Sequence, residues 1–503
     1  MKMDAREAVS QIQACFWAFL KARKKSKISF DRQVGFWLNV VKSSCMWILD
    51  VKEKNNTMKK LITSVGLLAV GAASLQAAYA PGLNSMETTK IWSVSGTLRG
   101  FYDDNYNTAP ATIGGLPNPN KRGSGGFEVS PSLSLNVPLG QTELGLRYTY
   151  GLYYYQDRED NNQNPIDQTH QFDLWVNHAF NENWSASVQD TFVSAQDPNL
   201  FVIPAGGVAV AQRISGNNIQ NTGVIKLDTQ WTQLLGSELG YQNTFYDYDQ
   251  SGSTTIPLLI ANGSTYAGLL DRVENLAWLN LTWQVLPTTV AFVGYQYGQV
   301  GYTGNEFIAG APPASGWKSD NRDNRSHYVY LGVKYNPLDN LTFALKGGIQ
   351  YVEFYNPPAG IATTSSTSPY VDFSTTYTYL PGSYVQVGFT QTRNASSVVG
   401  TPTVANDTIT EDEESSTVYA SINHQFTPKL TGSAIGRVQH SILQGGLNNN
   451  SVETWYSFGL NLAYQFNQHL STEIGYNFDD LDSKVAGQNY KRNRAYIGVT
   501  ATY

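Results

Sequence analysis

Twelve charged residues carry most of the chemistry this chain can offer: Arg99, Glu128, Glu143, Arg147, Asp173, Glu238, Lys334, Lys346, Asp372, Arg437, Glu473 and Arg494. Each stands at a polar position in a segment where polar and apolar residues alternate. Both signs occur. Facing groups of opposite sign would set a transverse field across a water-filled interior, whereas neighbours of opposite sign would pair across strands. Bond-making chemistry has little support. His170, His178, His327, His424, His440 and His469 are the chain's 6 histidines. No Ser-His-Asp grouping, H-E-x-x-H spacing or phosphate-binding glycine loop accompanies them. Acidic clusters at Asp103-Asp104, Asp157 to Asp160 and Glu411 to Glu414 offer carboxylates to a cation, yet none has calcium-loop spacing. They read as solvated loops, so neither metal nor cofactor is expected.

Positioning those charges requires strands. From Ile91 onward the dominant pattern has period two. Phe127, Val129, Pro131, Leu133, Leu135 and Val137 alternate with Glu128, Ser130, Ser132, Ser134 and Asn136. Leu144, Leu146, Tyr148, Tyr150 and Leu152 alternate with Glu143, Gly145, Arg147, Thr149 and Gly151. Successive strand side chains face opposite ways, so each segment has one apolar and one polar face. About 18 such segments follow, long enough for the roughly 9–11 residues of a tilted membrane-crossing strand. The patterns at 272–285 and 288–302 leave their register open, and no charged residue is assigned there. Eight short connections, such as Pro381-Gly382 and Asn467-Gln468, alternate with nine long polar ones. Long connections on one side only are the mark of an all-β, transmembrane, antiparallel up-and-down β-barrel with short periplasmic turns and long external loops. A β-propeller would show a blade-length repeat, and none is present. Pro131, inside a segment, lacks a ladder donor and points to a bulge or a strand's exposed end. Closing the first segment onto the last removes both sheet edges. An even strand number puts both termini in the periplasm.

Composition agrees. Charged residues are only 15% and aromatics 13%, with 31 Tyr, against about a quarter charged in soluble proteins. Mean hydropathy is nonetheless −0.31, which excludes a bundle of membrane helices. Met58 to Ala80 has a two-lysine start, an apolar run from Leu61 to Ala73, and small residues. This reads as a secretory signal peptide at 58–79, cut between Ala77 and Ala80. Residues 1–57 then read as a non-native upstream extension from a start codon placed too early, with 80–503 as the barrel. The rival is an amphipathic extension packing through Phe16, Trp17 and Trp37. Both cysteines, Cys15 and Cys45, precede the signal, so no disulfide framework is expected after it. Setting aside the 13 basic and 5 acidic residues before Ala80 leaves 21 of 34 and 35 of 40, a net charge of −14. An acidic chain does not favour nucleic acid.

Aromatics near segment ends suggest girdles at the lipid–water boundary. They include Tyr153 to Tyr155, Phe245, Tyr246, Tyr248, Tyr351, Phe354, Tyr355, Trp231 and Trp283. The chain ends on Ile497, Val499, Ala501 and Tyr503, one apolar face with a terminal aromatic. That resembles the strand signal read by the barrel assembly machinery.

Three stretches carry a family resemblance: Lys90 to Asn105, Leu281-Thr-Trp-Gln-Val-Leu-Pro287, and Phe292-Val-Gly-Tyr-Gln-Tyr-Gly298. Together with the signal they resemble the outer-membrane barrel porins of the beta-barrel porin 2 family. The resemblance implies a bacterial outer-membrane location, outer-membrane lipid as surroundings, and a channel. It implies no functional residues, and residues 1–57 depart from it. The expected function is passive diffusion of small hydrophilic solutes, with a homotrimer as one assembly. One alternative is a structural or adhesive surface barrel whose lumen is plugged by loops such as 196–218, with Phe201 to Pro204. Another is a barrel enzyme with a triad assembled in space. A TonB-linked transporter is not expected, since no plug segment precedes Ile91.

Overall fold

The computed structural model describes residues 91–113, 115–195, 217–249, 266–309, 316–398, 409–485 and 488–503. The signal segment, the upstream extension and the apolar stretch Phe201 to Pro204 lie outside them. Eighteen strands form one sheet: β1 Trp92–Asp103, β2 Ser124–Leu139, β3 Thr142–Tyr155, β4 Ile166–Asn181, β5 Trp184–Ala195 and β6 Asn218–Gln230. These are followed by β7 Leu235–Tyr248, β8 Arg272–Leu286, β9 Thr289–Tyr302, β10 Asn324–Leu338, β11 Leu341–Phe354 and β12 Thr364–Leu380. The last six are β13 Ser383–Ala395, β14 Asp412–Thr427, β15 Leu430–Gln444, β16 Val452–Asn467, β17 Leu470–Ser483 and β18 Tyr490–Thr502. Each strand pairs antiparallel with its chain neighbours, and β1 also pairs with β18. The barrel is therefore closed.

The short turns explain the register. Leu380-Pro381-Gly382-Ser383 puts Pro at the second turn position and Gly382 at φ 74° in the third. Only glycine takes that conformation without strain. Elsewhere side chains shape the turn. Asn181 and Asn467 accept the N–H of Asn183 and His469 at 2.8 Å. Thr232 Oγ1 accepts from Leu234 and Leu235, and Thr427 Oγ1 from Lys429 and Leu430. The Thr232 turn needs four residues, so β6 ends at Gln230, short of the alternation, which runs on to 232.

On the long-loop side several strands outrun their alternation. β12 begins at Thr364 rather than near 369, because the ladder to β11 continues through Ser365 and Ser366. Pro131 marks neither a bulge nor an end. It lies within β2 opposite Gly96, and the β2–β3 ladder skips Ser130 and Pro131 without changing register. Pro removes one donor, while the other edge of β2 stays paired.

One face of most strands is exposed and largely apolar, as at Leu98, Leu331, Ile474 and Ile497. The other face is polar and largely buried. The aromatic ends divide between the two faces. Tyr351, Tyr355, Trp231 and Trp283 are exposed on the outside, as girdle residues should be. Tyr155, Tyr246, Tyr248 and Phe354 are buried on the inside, because alternation sends every second aromatic of a run inward.

Placing a charge on the apolar face should be costly. Ile497→Arg is expected to destabilise the lipid-embedded barrel by about 2–4 kcal/mol, read from urea titration in vesicles. Ile497→Val should stay within about 1.5 kcal/mol.

Candidate functional site: the inner wall and the loop-side mouth

All twelve charged residues singled out from the sequence project from the face opposite the apolar one, and the tertiary structure gathers nine of them into ion pairs. Arg99 on β1 reaches Glu128 on β2 at 3.0 Å and Glu473 on β17 at 2.6 Å. Arg147 pairs with Asp173 at 3.0 Å, and Asp173 also accepts from Gln171 and Thr191. Lys346 pairs with Asp372 at 3.1 Å. Glu238 on β7 is the densest node. Lys226 and Lys334 both lie 3.8 Å from it, while Trp278 Nε1 and Asn280 Nδ2 donate to it at 2.9 and 3.0 Å. Charges of opposite sign thus sit side by side on the wall rather than facing one another across it.

The remaining three have other surroundings. Arg494 lies over the rings of Phe101 and Tyr153. Arg437 donates to Gln439 and lies over Trp455. Glu143 sits beside the β2–β3 turn, in register with Pro138 and Asn177. Four residues missed from the sequence join the Glu238 node: Lys226, Asp228, Trp278 and Asn280. Lys226 and Asp228 follow the same alternation as the residues that were found, so the pattern could have shown them. Trp278 and Asn280 fall on β8, whose register the sequence left open. An aromatic patch of Phe292, Tyr328, Tyr330 and Tyr370 lies beside Lys334 and Lys346, and the Tyr330 hydroxyl donates to Asn280 at 2.8 Å.

At the long-loop end a second layer forms. The helix Tyr266–Leu270, the two-stranded ribbon of Phe307–Ala309 with Trp317–Lys318, and Ile409 bring Leu269, Leu270, Ile308, Trp317 and Ile409 against Tyr246 and Tyr248. Arg322 ties these loops together. It is fully buried, donates to the carbonyls of Leu269 and Ser396, and stacks on Tyr302 at 4.1 Å. Asp271 and Asp323 precede β8 and β10 and cap the ladder, accepting the N–H of Tyr248 and Tyr302 at 2.7 Å. Burial pushes Asp271 up to about 7 and Asp323 up to about 6, despite those bonds. The acidic clusters have protein partners here. Asp103 pairs with Arg492 at 2.6 Å, Asp412 with Arg393 at 2.5 Å, and Asp157 accepts from Tyr106. Among the described residues no group of three or more metal-ligating side chains converges.

None of the six histidines lies on the inner face. Five are on outward strand positions and His469 is in a turn. Each ring contacts a hydroxyl or a carbonyl, such as Tyr295 for His327 and Tyr379 for His424. A lumenal histidine triad is therefore not formed.

Residues 385–503 match the family described as "Putative beta-barrel porin 2". The match runs from within β13 to the C-terminus, a different part of the barrel from the three stretches that carried the resemblance. No curated protein matches. Solved structures with a similar strand layout include a BenF-like porin from Pseudomonas fluorescens Pf-5, 14% identical, covering 82% of this chain and 99% of that one at a TM-score of 0.42. OccAB4 from Acinetobacter baumannii is 13% identical, covering 83% and 100% at 0.39. The siderophore receptor PiuA from the same organism is 10% identical, covering 82% of each chain at 0.40.

Two outcomes follow. Arg99→Met should cost about 3–5 kcal/mol in urea titration, because it leaves two buried carboxylates without their cation. Asp271 and Asp323 have raised pKa values, so their burial is most favourable below the ordinary carboxylate range. That contribution is lost as pH rises through about 6 to 7. Hydrogen-exchange protection of 266–274 and 317–326, corrected for intrinsic rates, should fall over that interval.

Proposed function

We propose that the chain is a channel of the bacterial outer membrane for passive diffusion of small hydrophilic solutes. The observation that carries this is the two-faced wall: a closed ring of 18 strands, apolar outside and lined inside by paired charges and amides. Barrels of 16–18 strands enclose an aqueous interior. On this reading the twelve charged residues, with Lys226 and Asp228, line the pore. The short turns and both termini face the periplasm, the long loops face outward, and outer-membrane lipid covers the apolar belt. Ile497, Val499, Ala501 and Tyr503 serve as the assembly signal. Tyr503 exchanges backbone hydrogen bonds with Val94 at the seam, where an assembly factor must release the last strand.

Adjacent ion pairs leave little net field, so discrimination between small cations and anions is weak. The mouth cluster packs against the inward Tyr246 and Tyr248 and favours a second reading, a surface barrel with a closed lumen. A planar bilayer separates the two: stable single-channel steps support the channel, and a correctly inserted but silent barrel overturns it. In a salt gradient the wild-type reversal potential should stay near zero. Glu238→Gln, which leaves Lys226 and Lys334 without their shared carboxylate, should shift it toward the chloride potential.

A further inference from the structure

The outer face is apolar through the middle of the belt and carries polar side chains such as His170, Gln391 and Asn493 nearer the loops, and one sector carries a charge deeper in. On β14 to β18 and β1 the outward positions between the rims hold residues such as Val418, Val438, Leu460, Ile474, Ile497 and Leu98, all exposed. On β5 to β8 the same face presents Asp190, Asn221, Tyr241, Asn243 and Asn275. They form one continuous patch. Asp190 is in register with Gly223, Gly223 with Asn243, and Asn243 with Asn275.

Asp190 is not a rim residue. It stands six positions beyond Trp184, the first residue of β5. At about 3.3 Å per residue and a tilt of about 40°, that is roughly 15 Å into a belt about 25 Å tall. Asn221 Nδ2 donates to the Asp190 carboxylate at 3.1 Å, and a Cβ added at Gly223 would meet Asp190 Oδ1 at 3.2 Å. Asn243 Nδ2 and the Tyr241 hydroxyl both donate to Asn275 Oδ1, at 2.9 and 2.7 Å. The patch keeps unused capacity of both kinds. The Asn275 amide still has N–H groups to donate, while Asp190, Asn221 Oδ1 and Asn243 Oδ1 can still accept. Acyl chains can satisfy neither, and a charged group at the depth of Asp190 is costly unless another spanning element pairs with it.

We infer that the β5–β8 sector is where a second copy of this chain docks, side by side in the membrane. A patch holding donors and acceptors together is self-complementary, as a two-fold contact between identical subunits requires. Exposed apolar side chains below it, Ile225, Leu239 and Leu279, extend the contact across the belt. Asp190 positions the partner from within the belt, and Asn221 and Asn275 act nearer the loops.

The inference rests on the membrane-barrel reading, and its test uses the full chain in native membranes with Cys15 and Cys45 replaced by serine. Ile225→Cys, which leaves the polar patch intact, should give a cross-linked dimer with a short bis-maleimide, while Ile474→Cys on the opposite wall should not. Adding Asp190→Leu and Asn275→Leu to the Ile225→Cys chain should abolish that dimer, with the heat-modifiable mobility of a closed barrel retained. Equal cross-linking at both positions, none at 225, or a dimer that survives the leucine substitutions would overturn the docking site. A barrel that conducts yet gives no dimer at 225 overturns only this inference. A chain recovered outside the membrane fraction overturns the channel reading as well.

Discussion

Closure of β1 onto β18 is the interaction on which the rest of the molecule depends. In hydrocarbon an unpaired backbone N–H or C=O costs several kcal/mol, and an open sheet of this length would leave two edges of them. The seam is an ordinary ladder from Ser95 opposite Thr502 to Asp103 opposite Arg494. Thr97 and Thr500 join hydroxyls across it at 2.8 Å, and Tyr503 packs beside Trp92. Once the ring is closed, each side chain has only two directions available. The period-two pattern then becomes an apolar outer belt and a polar inner wall.

That wall solves an electrostatic problem of its own making. A buried carboxylate without a cation is far costlier than the pair it belongs to is stabilising. The wall answers by setting opposite charges on adjacent strands, as with Arg99 between Glu128 and Glu473 and Glu238 between Lys226 and Lys334. The result is a hydrophilic lining with little net field. At the loop end the problem is met differently. Arg322 has carbonyls and an aromatic face instead of a carboxylate hydrogen bond, and in donating to those carbonyls it joins three separate loops. Its role is mechanical, to hold the mouth cluster in place.

The outer belt is not uniform around the ring. The β13 to β18 stretch that matches the porin family is apolar in the middle of the belt, with Gln391, His440 and Asn493 nearer the loops, while the opposite sector carries Asp190 deeper in. A barrel surrounded by lipid alone has no physical use for that difference, and a barrel with a neighbour does. The split in the aromatic runs has a related origin. Tyr154 faces outward and stacks on Phe127, while Tyr153 and Tyr155 face inward beside Phe101. A girdle and an internal cluster are built from one tyrosine run.

Strand number, the short-turn positions and the inner-face position of the twelve charged residues could be read from the sequence, because alternation is local and marks most strands. Pro381-Gly382 and the Asn and Thr turns were legible for the same reason: a short turn is decided by its own residues. What only the tertiary structure decided is which charges meet. Arg99 and Glu473 are 374 positions apart, and the closing strand pair brings them together. The register of β8, the bonds of Trp278 and Asn280 to Glu238, the loop cluster around Arg322 and the polar patch at Asp190 likewise depend on cross-strand alignment. Period-two patterning specifies a face for each residue but not its neighbour on that face. The neighbour is set by the stagger of eighteen strands around a closed ring.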